Sequence, residues 1–246
     1  MTTFDEQTAI VTGASSGIGR ATAMELAEHG ADVVLASRTE SKLEAVKAEI
    51  ETEGGTAFVA PTDVRSRNSV TSTVAATVDR FGGVDIVVSN AGVVTEDDVA
   101  LEDLSLEAYR TTVETNVDGS FFVAQATLDH LRESEGTLVF VGSAAASGVR
   151  PTLPVYAATK WWLDGFAQSL EALVGTDRVA VSLVNPSEVA TDIDAAESIH
   201  EGRNREMFLS PRDVAEAVRF VASRPSHASV RRLDLYRRDK MSYLHA

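Results

Sequence analysis

The sequence predicts an α/β fold: a single doubly wound parallel sheet of about seven strands with helices on both faces. Two observations carry this. Short apolar runs alternate with amphipathic stretches of helical period from Thr8 to Tyr236, and glycine or glycine pairs punctuate the boundaries. At the front stands Thr8-Ala9-Ile10-Val11-Thr12-Gly13-Ala14-Ser15-Ser16-Gly17-Ile18-Gly19, an apolar strand that ends in a three-glycine turn and runs into a helical pattern reaching His29.

Taken in order, Asp32 to Ser37 reads as a buried strand, followed by a helix to about Glu53 with Leu43, Val46 and Ile50 on one face. Ser41 and Glu44 offer that helix a capping box, and Gly54-Gly55 end it. Thr56 to Thr62 is a third strand, Ser66 to Phe81 a third helix, and Val84 to Ser89 a fourth strand after Gly82-Gly83. Ser105 opens a long helix to about Leu131. Gly136 to Val141, Val155 to Val174 and Val179 to Asn185 continue the rhythm as strand, helix and strand. Pro186 to about Ser210 lacks clean periodicity and is long for an internal loop, which suits a lid over 187–210. Pro211 opens a last helix to about Ser223, and Leu233 to Tyr236 closes the sheet as an edge strand. With 246 residues and no linker-like stretch, the whole chain, 1–246, is expected to form one domain.

Composition narrows the function. No run of about 18 apolar residues and no cationic-then-apolar leader is present, so a soluble, cytoplasmic protein is expected. There is no cysteine, which excludes disulfides, thiolate metal sites and a thiol nucleophile. The five histidines are scattered without ligand spacing, and no metal site is expected. A net charge of −15 argues against nucleic acid or an anionic membrane as partner. Only four lysines (Lys42, Lys47, Lys160, Lys240) stand beside 18 arginines. An acidic, lysine-poor surface is expected of a halophilic protein working in molar salt, where screening shortens self-repulsion to about 3 Å. The alternative is an acidic protein indifferent to salt.

The glycine turn has the chemistry of a phosphate cradle. Gly13 permits the sharp turn, Gly17 lets a pyrophosphate approach the backbone, and Gly19 allows the helix to pack on the strand. The free N–H groups and positive dipole end of the helix then face the anion. A tight strand-to-helix connection with no ligand is the competing reading. At the end of the second strand, where an acidic residue would grip the ribose hydroxyls of NAD, the chain has Ser37 and Arg38. A guanidinium suits a 2′-phosphate, so NADP is favoured over NAD.

The spacing Thr-Gly-x-x-x-Gly-Ile-Gly resembles the cofactor motif of the short-chain dehydrogenase/reductase family, whose sheet is Rossmann-type. The likeness extends over nearly the whole chain. In that resemblance, Ser15, Ser16 and Ile18 belong to the cradle with the glycines, although some NADP-preferring relatives carry a basic residue where this chain has Ser16. Asp63-Val64 matches the adenine contact, and Asn90-Ala91-Gly92 matches the motif that lies against the cofactor. Pro186, Val189 and Thr191 match the segment that holds the nicotinamide carboxamide, with Ser187 where glycine is usual.

The resemblance implies chemistry at Ser143, Tyr156 and Lys160, with Asn116 behind them. Tyr156 and Lys160 are four apart, so a helix puts them one turn apart on the same face. A phenol titrating near pH 10 becomes a useful proton carrier beside an ammonium, and both residues also border the cofactor. The Ser143 hydroxyl would hydrogen-bond the reacting oxygen, and Asn116 would hold a water next to Lys160. The implied activity is hydride transfer between the nicotinamide and a carbonyl or alcohol carbon of a small substrate. A non-catalytic NADP-binding regulator of the same fold is the rival, since it could dispense with Tyr156. Val94, Ala145, Val149, Leu153 and Glu188 are expected to line the substrate pocket. Trp161, Trp162, Phe166, Leu170 and Leu173 spread apolar area round their helix, and with the family's packing this predicts a homotetramer, or else a dimer.

Overall fold

The computed structural model describes residues 4–95, 99–148, 150–191 and 208–238. Val149 and most of the expected lid, residues 192–207, lie outside them. Seven strands form one parallel sheet: β1 (Thr8–Thr12), β2 (Asp32–Ser37), β3 (Thr56–Pro61), β4 (Ile86–Ser89), β5 (Thr137–Val141), β6 (Ala180–Pro186) and β7 (Arg232–Leu235). Their spatial order is β3-β2-β1-β4-β5-β6-β7. The order reverses between β1 and β4, which pair with Ile10 opposite Val87. In such sheets ligands bind at the carboxyl ends of the strands beside this reversal.

The strands are buried on both faces, and side-chain alternation divides the core in two. Val11, Val33, Leu35, Val88 and Val139 pack with α1 (Gly17–Glu28), α2 (Glu40–Thr52) and α7 (Pro211–Ala222). Ile10, Val34, Val87, Leu138 and Phe140 pack with α3 (Arg67–Phe81), α5 (Gly119–Ser134) and α6 (Pro154–Val174). The remaining helix, α4 (Leu106–Val113), leads into α5.

Local chemistry explains several boundaries. Ser66 Oγ accepts from the Ser69 N–H at the start of α3, and Gly82 ends that helix at φ +89°. Ser105 caps α4 through the Ala108 N–H at 3.0 Å. Ser210 and Asp213 cap each other's backbone at the start of α7, behind Pro211 at its first turn. The expected capping box at Ser41 and Glu44 does not form. The helix starts two residues too early for it, at Glu40, with Thr39 as an extended cap residue whose side chain makes no capping bond.

The long helix expected from Ser105 to Leu131 is interrupted by a π-helical turn at Glu114–Asp118. One residue more per turn changes which side chains face inward, and such turns recur at functional sites. Here it carries Asn116 into the protein, 2% exposed. The five apolar residues spread round α6 divide between the core and the surface. Trp162 stacks on Phe166 with ring centroids 4.7 Å apart, both against the core, and Leu170 is buried. Trp161 and Leu173 stay exposed, as do Leu106 and Tyr109 on α4 and Phe121 on α5.

Candidate functional site

The glycine turn joins β1 to α1 at the reversal of strand order. Gly13 and Gly17 have φ of +68° and +53°, a region that L side chains enter only at a cost. A Cβ on Gly19 would fall onto the carbonyl oxygen of Gly13, so this glycine serves close packing of the helix start on the turn. The start of α1 differs from those of α3 and α7. Ser16 is extended like their cap residues, but its side chain makes no capping bond, and no acidic residue occupies the first turn. That leaves the positive end of the dipole for an anion. Ser15 and Ile18 are half-buried and Ser16 is exposed at the mouth.

Asn90 holds the floor of the turn. Its Nδ2 donates to the Thr12 carbonyl at 2.9 Å, and Thr12 Oγ1 accepts from the N–H groups of Asn90 and Ala91, each at 3.0 Å. These bonds tie the ends of β1 and β4 together. Gly92 follows, with a missing Cβ that would lie 3.3 Å from Asn116 Oδ1 and 3.6 Å from Lys160 Nζ.

At the far end of the turn, Ser37 and Arg38 close β2, and the Thr62 N–H donates to the Ser37 carbonyl at 2.8 Å, setting Asp63 beside them. Arg38 is exposed, while Ser37 Oγ is buried with no hydrogen-bond partner. The Asp63 carboxylate is gripped by Arg65, whose Nε and terminal nitrogen donate to it at 3.0 and 2.7 Å, with the Arg65 N–H also at 3.0 Å. The side-chain bonds from Arg65 hold the Asp63 carboxyl below its ordinary range, with Arg38 adding a smaller push. Arg65 was not singled out from the sequence. Its signal was only a cation two residues after a strand-end carboxylate. Val64 turns its side chain inward, where it leaves no room for a Cβ on Gly119.

Tyr156 and Lys160 lie one turn apart on α6, with Lys160 Nζ 5.6 Å from the Tyr156 ring centroid. Lys160 is buried and donates to the Val141 carbonyl at 3.1 Å. Burial lowers the ammonium from its ordinary 10.5 to about 8. Ser143 follows β5 and caps a short 3₁₀ turn, Ala144–Ser147, accepting from the Ala145 N–H at 3.1 Å. With that lone pair engaged, its O–H remains a donor.

The Asn116 amide is engaged by its protein neighbours. Its Oδ1 accepts from the Val93 N–H at 2.9 Å, and its Nδ2 donates to the Val93 carbonyl at 3.0 Å and to Thr159 Oγ1 at 3.1 Å. The amide therefore fastens the loop after β4 to α6.

At the end of β6, Pro186 pairs with Leu235, and beyond the strand Val189 bridges Leu209. The Thr191 methyl carbon lies over Gly17, 3.2 Å from where a Cβ would be. Ser187, in the place of the usual glycine, donates its N–H to the Leu235 carbonyl and accepts from the Arg237 N–H through its hydroxyl. Glu188 is paired with Arg237 at 2.6 Å, and that guanidinium lies 4.8 Å from the Phe208 ring centroid. Nothing in the sequence linked residues so far apart. A narrow cleft brings Leu153 together with Tyr156, Thr95, Leu104 and Thr112. A larger cavity of about 230 Å³ lies between α6, β6 and Arg231-Arg232, and contains none of the expected site residues.

A parallel sheet of seven strands with helices on both faces, its order reversing beside a glycine turn, is the doubly wound, Rossmann-type fold. The chain belongs to the short-chain dehydrogenase family, a family of oxidoreductases, whose sequence model matches residues 7–202. An uncharacterized oxidoreductase of Staphylococcus aureus strain USA300 is 33% identical over 231 residues, 94% of this chain and 96% of that protein. An alcohol dehydrogenase from the archaeon Thermococcus sibiricus, complexed with 5-hydroxy-NADP, superposes with a TM-score of 0.86 at 30% identity, covering 94% of this chain and 97% of its own. A 3-ketoacyl-(acyl-carrier-protein) reductase from Brucella melitensis, complexed with NADH, gives a TM-score of 0.84 at 28% identity with the same coverage. Among the described residues no helix is long and apolar enough to cross a membrane.

Proposed function

We propose that the chain is an NADP-dependent dehydrogenase or reductase acting on the carbonyl/alcohol carbon of a small substrate. The observation that carries this reading is the buried amine of Lys160 beside Tyr156, on a helix that faces the end of β5 and Ser143. A buried ammonium is costly, and one whose placement favours an ionised phenol nearby has a reason to be there.

The residues present fit a dinucleotide. The uncapped start of α1 and the left-handed Gly13 and Gly17 suit the pyrophosphate, and the unpartnered Ser37 Oγ with exposed Arg38 suits a 2′-phosphate. Asp63, Val64, Asn90, Ala91 and Gly92 would border the adenosine side and the floor, and Pro186, Val189 and Thr191 the nicotinamide side. The nicotinamide, when bound, supplies or takes up the hydride. Tyr156 gives a proton to the substrate oxygen in reduction and takes it in oxidation. Lys160 stabilises the phenolate while it is charged, below about pH 8. Ser143 donates a hydrogen bond to the same substrate oxygen as charge develops on it.

The reading includes a single domain over 1–246, a cytoplasmic location, a surface adapted to molar salt, and a homotetramer with a dimer as the lesser possibility. Leu106, Tyr109, Phe121, Trp161 and Leu173, exposed on α4, α5 and α6, support self-association through these helices. Tyr156→Phe tests the chemistry: turnover with NADPH and a carbonyl panel should fall by about 10²–10⁴ while NADPH affinity is retained. Undiminished turnover, or none in the wild type, would leave the non-catalytic nucleotide-binding reading in its place.

A further inference from the structure

The bond that orients Ser143 starts at the far edge of the sheet. Asn185, fully buried at the end of β6, accepts from the Ser143 N–H through Oδ1 at 3.1 Å. Its Nδ2 donates to Asp234 Oδ1 on the neighbouring edge strand at 2.9 Å, and the two residues stand opposite each other in the β6–β7 register. A carboxylate only accepts, so Asp234 forces the amino group of Asn185 toward itself and the amide oxygen toward Ser143. Gly142, just before Ser143, makes this approach possible, since a Cβ there would fall onto Asn185 Oδ1.

Arg232 completes the frame. Its Nε donates to both oxygens of Asp234 at 2.9 Å, and another of its nitrogens donates to Ser147 Oγ at 2.7 Å. The edge strand thus grips the 3₁₀ turn Ala144–Ser147 at its far end directly, and at Ser143 through Asn185.

We propose that Asp234 is a positioning residue for the Ser143 hydroxyl, acting through the buried amide of Asn185. This rests on the proposed oxidoreductase reading for its kinetic consequence, but not for its structural one. Without the carboxylate, the Asn185 amide is free to turn its amino group toward the Ser143 N–H. Two donors then face each other, and the turn shifts.

The experiment is a double-mutant cycle with amide exchange alongside. Asp234→Ala should lower kcat about ten- to a hundredfold, the range for a displaced reacting group, with NADPH affinity unchanged. In a Ser143→Ala background it should cost nothing further, because the group it positions is already gone. Asp234→Asn, which can turn its amide oxygen toward Asn185, should restore most of the turnover. Exchange of the Ser143 N–H should speed up about tenfold in Asp234→Ala, as expected when a protecting bond is weakened. Additive losses in the cycle, or an unchanged Ser143 exchange rate, overturn the proposal. If the wild type reduces no carbonyl, the functional reading fails, while the exchange measurement still decides the positioning. Asp234→Ser, too short to reach Asn185, replaces Asp234→Ala should that variant not fold.

Discussion

Lys160→Met should stabilise the protein at neutral pH and destabilise it at high pH. The unfolded lysine titrates near 10.5 and the buried one at about 8. At about 1.4 kcal/mol per pH unit, the native state bears a cost of about 3 kcal/mol wherever both forms are protonated, below pH 8. Between about 8 and 10.5 the unfolded chain binds more protons than the native one, so wild-type stability rises with pH across that window. Methionine has similar length and no charge, so it escapes the cost. It also abandons the bond from Nζ to the buried Val141 carbonyl, worth about 1–2 kcal/mol. The variant should therefore be more stable than wild type by about 1–2 kcal/mol at pH 7, and less stable by about 1 kcal/mol at pH 10.5. Urea unfolding of both proteins at equal concentration, followed by the fluorescence of Trp161 and Trp162 on the same helix, measures this difference. Titrating groups remote from Lys160 cancel in it. A stability gap between the two proteins that stays constant with pH to within about 1 kcal/mol would refute the reasoning.

Gly19→Ala places a methyl on the Gly13 carbonyl oxygen, and should cost about 1–3 kcal/mol in stability together with NADPH binding; calorimetry and nucleotide titration read the two effects. Arg38→Asp removes the fork and adds a repelling charge, so NADPH affinity should fall about 10- to 100-fold while NADH affinity holds or improves, checked by titrating both nucleotides. At a net charge of −15, raising KCl from about 0.1 M to 1 M contracts the screening length from about 10 to 3 Å, and Tm should climb steeply; a Tm indifferent to salt removes the halophilic reading.

Much of this was legible in the chain itself, for a physical reason. Strand and helix identity depend on periodicities of two and 3.6, and turns depend on residues such as Gly82 that tolerate a left-handed backbone, all of which are local in sequence. The strand-to-helix glycine turn and the Tyr156–Lys160 spacing are local in the same sense, so their placement followed from the order of elements. Helix ends were less secure. Ser41 has the chemistry of a cap, but α2 begins at Glu40 and places it inside the helix.

Tertiary structure alone decided what depends on partners far apart in the chain. That Asn116 is engaged by Val93 and Thr159 required a π turn and the packing of α6 against it. Trp162 and Phe166 are core while Trp161 is surface, a division set by which face of α6 meets the sheet. Most of all, the Asp234–Asn185–Ser143 chain joins two strands to the turn after β5 through a buried amide whose direction is fixed by a carboxylate 49 residues away. Sequence determines which groups exist and which local shapes they favour. Only the assembled sheet determines which donor meets which acceptor out of reach of water, where a wrongly paired group is costly.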